Sequence, residues 1–219
     1  MRFAKALVLA VLVARDVPAS TGREPRACDE SALGRTARAP RVAVWAEALP
    51  ALEVRNVTTR MSGSVRLYTP DGAVDESQRK VFERIASTID TDPRPLSLRL
   101  EQLVVKAAYR FNGARILVVS AWRWRAGRHG TGEALDFKLE GVRAARLAAY
   151  LRTLPRVGVG IYTHPRTQYV HLDVRDASYH WIDASPPGIR WRESPLRDNA
   201  AARVDATWTS EMDLPTAIE

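Results

Sequence analysis

The residues best suited to chemistry lie in two short stretches near the middle of the chain. The first runs from His129 to Asp136 and reads His-Gly-Thr-Gly-Glu-Ala-Leu-Asp, and the second, Gln-Tyr-Val-His-Leu-Asp, contains His171. Two imidazoles and a carboxylate, with a fourth position left to water, are typical of a catalytic zinc site. Structural zinc sites are closed and usually rely on several cysteines, whereas this chain has one cysteine. The pattern favours an open metal site.

The elements that carry these residues can bring them together. Residues 134–139 alternate between polar and apolar types, which predicts a strand with Asp136 on its polar face. Residues 169–174 alternate in the same way, so His171 and Asp173 point to one side of a second strand. The first histidine precedes these strands on a glycine-containing loop that can fold back over the sheet. We therefore expect both motifs to meet on one sheet face.

The surrounding segments predict an α+β domain. Apolar residues at helical spacing indicate three helices, over residues 75–89, 98–111 and 142–154. A nearly continuous apolar run over residues 115–120 predicts a central strand, and residues 157–161 predict a strand that pairs with residues 169–174 as a hairpin. We expect a small, largely antiparallel sheet with helices packed on one side and the metal site on the open face.

The N-terminal segment resembles a secretory signal peptide over residues 1–20. Arg2 and Lys5 precede an apolar run that is followed by small residues near a plausible cleavage point. The apolar run is too short to span a bilayer, and the alternative is a buried N-terminal helix. A signal peptide predicts export across the cytoplasmic membrane to the periplasm or cell envelope, with no membrane span in the mature chain.

The rest of the chain divides by composition. Residues 21–63 are predicted to be a linker or a poorly ordered N-terminal segment, because apolar periodicity is weak there. Residues 64–192 contain the predicted helices and strands and form the expected catalytic domain. Residues 193–219 read as a solvated C-terminal tail. The length fits one domain, and we expect a monomer.

The net charge of the chain favours negatively charged partners. The formal net charge is +8, which suits nucleic acid, a membrane surface or an acidic cell-wall polymer. The excess of arginine over lysine also follows from a GC-rich genome and then carries no functional meaning. Basic residues are not interleaved with aromatics as a single-strand binding groove requires, so we expect no nucleic-acid partner.

Residues from about 66 to 181 resemble the bacterial DUF882 family, which is similar to the M15 peptidases, the D-alanyl-D-alanine carboxypeptidases and their murein endopeptidase relatives. The matching residues are His129, Gly132, Ala134 and Asp136 in the first block, then His171 followed by Asp173. The resemblance implies zinc bound by the two histidines and the first aspartate, with Arg123 contacting substrate. It further implies a zinc metallopeptidase that cleaves an amide bond in peptidoglycan peptides, involving D-amino acids.

The motif does not identify a general base. Where relatives place a glutamate or a histidine just before the second zinc histidine, this chain has Gln168 and Tyr169, and neither accepts a proton from zinc-bound water at neutral pH. Asp173 is the first candidate base, and its alternative role is to orient His171. The other candidates are Glu133, His164 and His180. Without a base, the chain could instead be a non-catalytic, metal-containing cell-wall-binding module.

Overall fold

An eight-stranded mixed sheet organises the protein. The computed structural model describes residues 43–87, 94–124, 127–189, 191 and 193–215. The strands are β1 (Leu52–Asn56), β2 (Ser62–Val65), β3 (Ile116–Ser120), β4 (Ala134–Leu139), β5 (Val157–Tyr162), β6 (Val170–Val174), β7 (Tyr179–Asp183) and β8 (Ser194–Leu196). Their order in the sheet is β2-β1-β3-β4-β6-β5-β7-β8. The pairs β1–β3 and β5–β7 are parallel, and the other neighbours are antiparallel.

The helices are short, and their sequences explain where they begin and end. They are α1 (Val44–Glu47), α2 (Glu76–Ala86), α3 (Leu98–Arg110), α4 (Gly127–Gly130), α5 (Ala144–Leu151) and α6 (Ala201–Ala206), followed by a 3₁₀ turn at Ser210–Asp213. Asp75 caps α2 by accepting the backbone N–H of Ser77 at 2.9 Å. Asn112 and Gly113 end α3 with positive φ angles of 58° and 71°.

Strand alternation separates an apolar core from a polar sheet face. Leu135 and Phe137 of β4 and Leu172 of β6 are fully buried in the same cluster as the apolar faces of α2, α3 and α5. Asp136 and His171 lie between these residues along the strands and therefore point to the opposite face. The structure confirms the α+β fold, with α2, α3 and α5 packed on the face away from the predicted site, whereas the sheet has eight strands and is mixed.

The sheet is wider than the predicted domain of residues 64–192. β1 lies N-terminal to that range and pairs with both β2 and β3, and β8 lies beyond it and pairs with β7. Of the predicted linker, residues 43–63 therefore contain ordered elements, whereas residues 1–42, with the predicted signal peptide, lie outside the described residues. Among the described helices, none has the length and apolar character that crossing a bilayer requires.

The predicted C-terminal tail is also packed onto the domain. Asp205 is buried and accepts the backbone N–H of Ser178 at 2.7 Å. Asp213 is buried as well and accepts from Arg99 Nε at 2.8 Å. The prediction of a solvated tail was therefore wrong for these residues. Each of the two buried carboxylates accepts a hydrogen bond from a donor on the domain.

Candidate metal centre

Three potential ligand atoms converge on the polar face of the sheet. His129 Nε2 lies 3.2 Å from His171 Nδ1 and 3.4 Å from Asp136 Oδ1, and His171 Nδ1 lies 2.9 Å from the same oxygen. Atoms bound to a tetrahedral zinc ion at about 2.0–2.1 Å lie about 3.3–3.4 Å from one another. The three donors are thus spaced as one face of a tetrahedral metal site, and together they could hold a metal ion.

Strand register places two of the three donors side by side. Asp136 on β4 and His171 on β6 are direct antiparallel partners, so their side chains leave the same face at neighbouring points. Both are buried, with 0% and 8% of their surface exposed. Because each sits within a strand, the carboxylate and the imidazole are presented by a rigid backbone.

A tight loop brings in the third donor. His129 lies on α4, which follows β3, and is 5% exposed. The chain then turns at Gly132, where φ is +75° and an added Cβ would lie 2.4 Å from the carbonyl oxygen of Pro95. Only glycine fits this conformation and this close approach. Gly132 therefore allows the turn that places His129 over the sheet.

Hydrogen bonds to the outer ring nitrogens set which nitrogen of each histidine faces the centre. His129 Nδ1 donates to the carbonyl of Ala121, which leaves its Nε2 as the ligand atom. His171 Nε2 donates to Asp173 Oδ2 at 3.0 Å, which leaves its Nδ1 as the ligand atom. Such contacts orient metal-binding histidines and raise their basicity.

Asp173 is held behind His171, away from the ligand atoms. Arg175 donates to both of its oxygens, at 2.6 and 2.5 Å, and Arg128 Nε lies 3.5 Å from Oδ1. Asp173 is 1% exposed and contacts the ring nitrogen of His171 that points away from Asp136. This geometry favours the orienting role of Asp173 over the role of general base.

The charges in this cluster shift its pKa values in favour of a bound cation. Burial by itself would raise the pKa of Asp136, but hydrogen bonds with His129 and His171 outweigh it and hold the pKa well below its usual range. Burial would lower the pKa of His171, but hydrogen bonds with Asp136 and Asp173 raise it to about 8. The centre is a place where positive charge is stabilised.

Arg123 lies between the ligand cluster and an open cleft. Its Nε donates to Ser120 Oγ at 2.8 Å, and its Nη2 contacts Asp136 Oδ2. The two oxygens of Asp136 therefore have different partners, the histidines on Oδ1 and the guanidinium on Oδ2. Since 41% of the Arg123 side chain is exposed, its remaining donors can reach a bound molecule.

The cleft beside Arg123 has a volume of about 640 Å³, within the range of small-molecule sites. It is lined by Arg123, Tyr162, Thr167, Tyr169, Asp183, Ser185, Pro186, Pro187, Gly188, Ile189, Trp191 and Glu193. Tyr162 and Tyr169 form one wall with ring centroids 4.2 Å apart. Many of the other lining residues come from the chain after β7.

A tryptophan packs against the second ligand histidine. Trp181 on β7 is 6% exposed, and its ring centroid lies 5.1 Å from that of His171. A Cβ at Gly160, the neighbour of both residues in the sheet, would lie 2.4 Å from the indole. The absence of a side chain at Gly160 thus allows the indole to cover this part of the sheet.

The other candidate bases make their contacts elsewhere. Glu133 accepts from Arg128 at 3.1 Å and from Thr131 at 2.9 Å. His180 is buried, with Nδ1 3.6 Å from Asp198. The imidazole of His164 accepts a backbone N–H within its own turn. Sequence reasoning did not single out Arg175, although it follows Asp173 by two positions and so shares its strand face.

Comparison with known proteins identifies no relative of this chain. No protein-family model, no curated protein and no solved structure matches the chain. The resemblance to the M15 peptidases stays a prediction. What the site does is inferred below from its own residues and geometry.

Proposed function

We propose that the protein is a zinc-dependent hydrolase that cleaves an amide bond in peptidoglycan peptides, involving D-amino acids. The observation that carries this proposal is the buried cluster of His129, Asp136 and His171, whose ligand atoms have the spacing of a three-donor zinc site. An open cleft lies directly beside it. The predicted signal peptide places the reaction outside the cytoplasmic membrane, in the periplasm or cell envelope.

The donor set suits a transition metal such as zinc better than magnesium or calcium. Two neutral imidazoles and one carboxylate suit zinc, whereas magnesium and calcium prefer oxygen ligands alone. When bound, zinc lowers the pKa of a water ligand and polarises a substrate carbonyl. The protein's own contribution is to fix the ligand nitrogens through Ala121 and Asp173 and to keep the ligands buried.

Arg123 supplies a fixed positive charge at the edge of the cleft. Its guanidinium is anchored by Ser120 and Asp136, so its orientation is set before a substrate binds. A positive group in this place stabilises negative charge that develops on an amide oxygen, or binds a peptide carboxylate. This role agrees with the substrate-binding arginine that the resemblance implies.

The tyrosines of the cleft are hydrogen-bond donors at neutral pH and do not serve as bases. Burial raises the pKa of Tyr169 to about 12, and burial likewise raises the pKa of Tyr162 well above its usual range. Both hydroxyls therefore stay protonated at neutral pH and can donate hydrogen bonds to a substrate oxygen.

A non-catalytic, metal-containing cell-wall-binding module is the second candidate. Gln168 and Tyr169 occupy the positions where a base would precede His171, and Asp173 is engaged by His171 and Arg175. A chain that holds the metal but lacks a base would bind peptidoglycan without cleaving it.

Metal analysis and a digestion assay test the proposal together. Purified protein is expected to contain about one zinc per chain, and His129→Ala is expected to lose it. His164→Ala is the matched control, because this half-exposed histidine lies on a turn outside the cluster. Incubation with purified murein sacculi should release soluble peptide fragments, and a chelator should abolish the release. Binding to sacculi without any product would favour the module, and a metal-free, folded wild type would refute the metal centre.

A further inference from the structure

The cleft beside the metal centre has opposite charges on its walls. Arg123 lies at the end that adjoins Asp136, and Asp183 lies among the other lining residues. We propose that this cleft selects a peptide that carries a free ammonium group, which Asp183 binds while the amide to be cleaved lies at the Arg123 end. This inference rests on the proposed hydrolase function and adds the substrate class to it.

The position of Asp183 is set by the sheet and by the turn that follows. It is the last residue of β7 and the register partner of Tyr162 on β5. One carboxylate oxygen, Oδ1, accepts the backbone N–H of Ser185 at 2.7 Å and is also contacted by the Ser185 hydroxyl. These bonds fix the carboxylate at the cleft and leave Oδ2 available to a ligand.

Among the described residues no cation pairs with Asp183, in contrast to three other aspartates of the domain. Asp136, Asp173 and Asp213 each contact an arginine, whereas across the described ranges no arginine or lysine forms an ion pair with Asp183. In a chain with a formal net charge of +8, a cleft carboxylate without a cationic partner is suited to binding a cation from outside. An ammonium group both neutralises this charge and donates to Oδ2.

The stacked tyrosines connect the two ends of the cleft. Tyr162 and Tyr169 line the same cleft as Arg123 and Asp183, and Tyr162 is the register partner of Asp183. A peptide of a few residues fits a cleft of about 640 Å³, with its backbone along the tyrosine wall.

Two kinds of ammonium group have this chemistry, the N-terminal α-amine of a peptide and the side-chain amine of a diamino acid. The test uses one synthetic pentapeptide that contains a lysine and ends in D-alanyl-D-alanine. It is prepared with both amines free, with only the α-amine acetylated, and with only the side-chain amine acetylated. The zinc-loaded full chain is assayed with each form, and kcat/KM is measured from the chromatographic yield of the product.

The readout is the ratio of kcat/KM between the free and each acetylated peptide. We expect wild type to prefer one free amine by about tenfold, the size of one charge-assisted hydrogen bond, and Asp183→Asn to bring that ratio close to one. The acetylated form with the lower kcat/KM shows whether Asp183 binds the α-amine or the side-chain amine. Asp176→Asn, a change at an exposed carboxylate after β6, is the matched control and should keep the wild-type ratio.

Other outcomes overturn the inference or separate it from the proposed function. A ratio that is the same in wild type and Asp183→Asn overturns it, and an equal loss of activity on every form would assign Asp183 to the chemistry instead. If wild type cleaves none of the peptides, the hydrolase proposal fails. Calorimetric binding of the same peptides then decides: a preference for the free amine that Asp183→Asn removes supports the ammonium site, and equal affinities refute it.

Discussion

Replacing Asp173 with asparagine distinguishes its two possible roles. The substitution keeps the size of the side chain but removes its charge, 3.0 Å from His171 Nε2. An asparagine can still accept from His171 with its oxygen, but its NH₂ group then faces Arg175, which needs an acceptor on that side. The imidazole of His171 therefore loses part of what orients it and raises its basicity.

The expected effect is on metal affinity. Removing an outer hydrogen-bond partner of a ligand histidine typically weakens metal binding by about 10- to 100-fold, which corresponds to about 1.4–2.8 kcal/mol. Because Asp173 is 1% exposed, solvent cannot replace the lost interaction, and the upper part of this range applies. Arg175 also loses its charged partner, so we expect a lower melting temperature as well.

Zinc affinity is measured by competition with a chelator of known affinity, and activity is measured at saturating zinc. Asp176→Asn is the control, since it makes the same chemical change at an exposed site and should leave zinc affinity unchanged. A general base would behave differently, because its loss would reduce kcat severely at saturating zinc while zinc affinity stayed at the wild-type value. That pattern would refute the orienting role of Asp173.

Three further changes test other parts of the site. The pKa of His171 is raised to about 8 from its ordinary 6.5. In chelator-treated protein, protonated His171 therefore stabilises the fold fully below about pH 6.5, and this stabilisation is lost as the pH rises through 8. Zinc must displace that proton, so zinc affinity should fall about tenfold per pH unit below about pH 8; affinity that rises on acidification in chelator competition would contradict this. Arg123→Ala should lower kcat/KM on sacculi peptides about 10²–10³-fold while the zinc content stays near one; unchanged activity would exclude a role in binding or charge stabilisation. Gly160→Ala should destabilise the fold by about 1–3 kcal/mol in urea unfolding, since its Cβ would meet Trp181 at 2.4 Å; an unchanged midpoint would show that the indole moves freely.

The candidate metal ligands could be located from the sequence because their placement depends on local periodicity. Alternation along residues 134–139 predicted β4 with its observed bounds and put Asp136 on the polar face. The same alternation placed His171 and Asp173 together on β6. Two strands that both bury one face place their polar residues on the other, so the pattern predicted a shared sheet face, and the pairing of Asp136 with His171 is set by the order and register of β4 and β6.

Features that depend on tertiary contacts were not predictable in this way. A helix was expected over residues 142–154, and α5 forms within this range. Because alanine lies on several of its faces, the sequence does not show which face is buried. In the structure the buried residues of α5 are Leu147, Ala148 and Leu151. β1 was not recognised because a five-residue strand between irregular segments has a weak signal of its own. Its stability comes from pairing with β2 and β3.

The metal cluster and much of the cleft lining come from different segments of the chain. We therefore expect substitutions in one to leave the function of the other unchanged. The candidate metal donors and Asp173 lie on strands and beside a glycine-constrained turn, whereas much of the cleft lining comes from the last residue of β7 and the chain after it, at Asp183, residues 185–189, Trp191 and Glu193. Side chains at Asp183 and Trp191 line the cleft without contacting the ligand cluster through any hydrogen bond or ion pair among the described residues. Changes there should therefore alter peptide selectivity at constant zinc affinity, and a change at Asp173 should have the reverse effect.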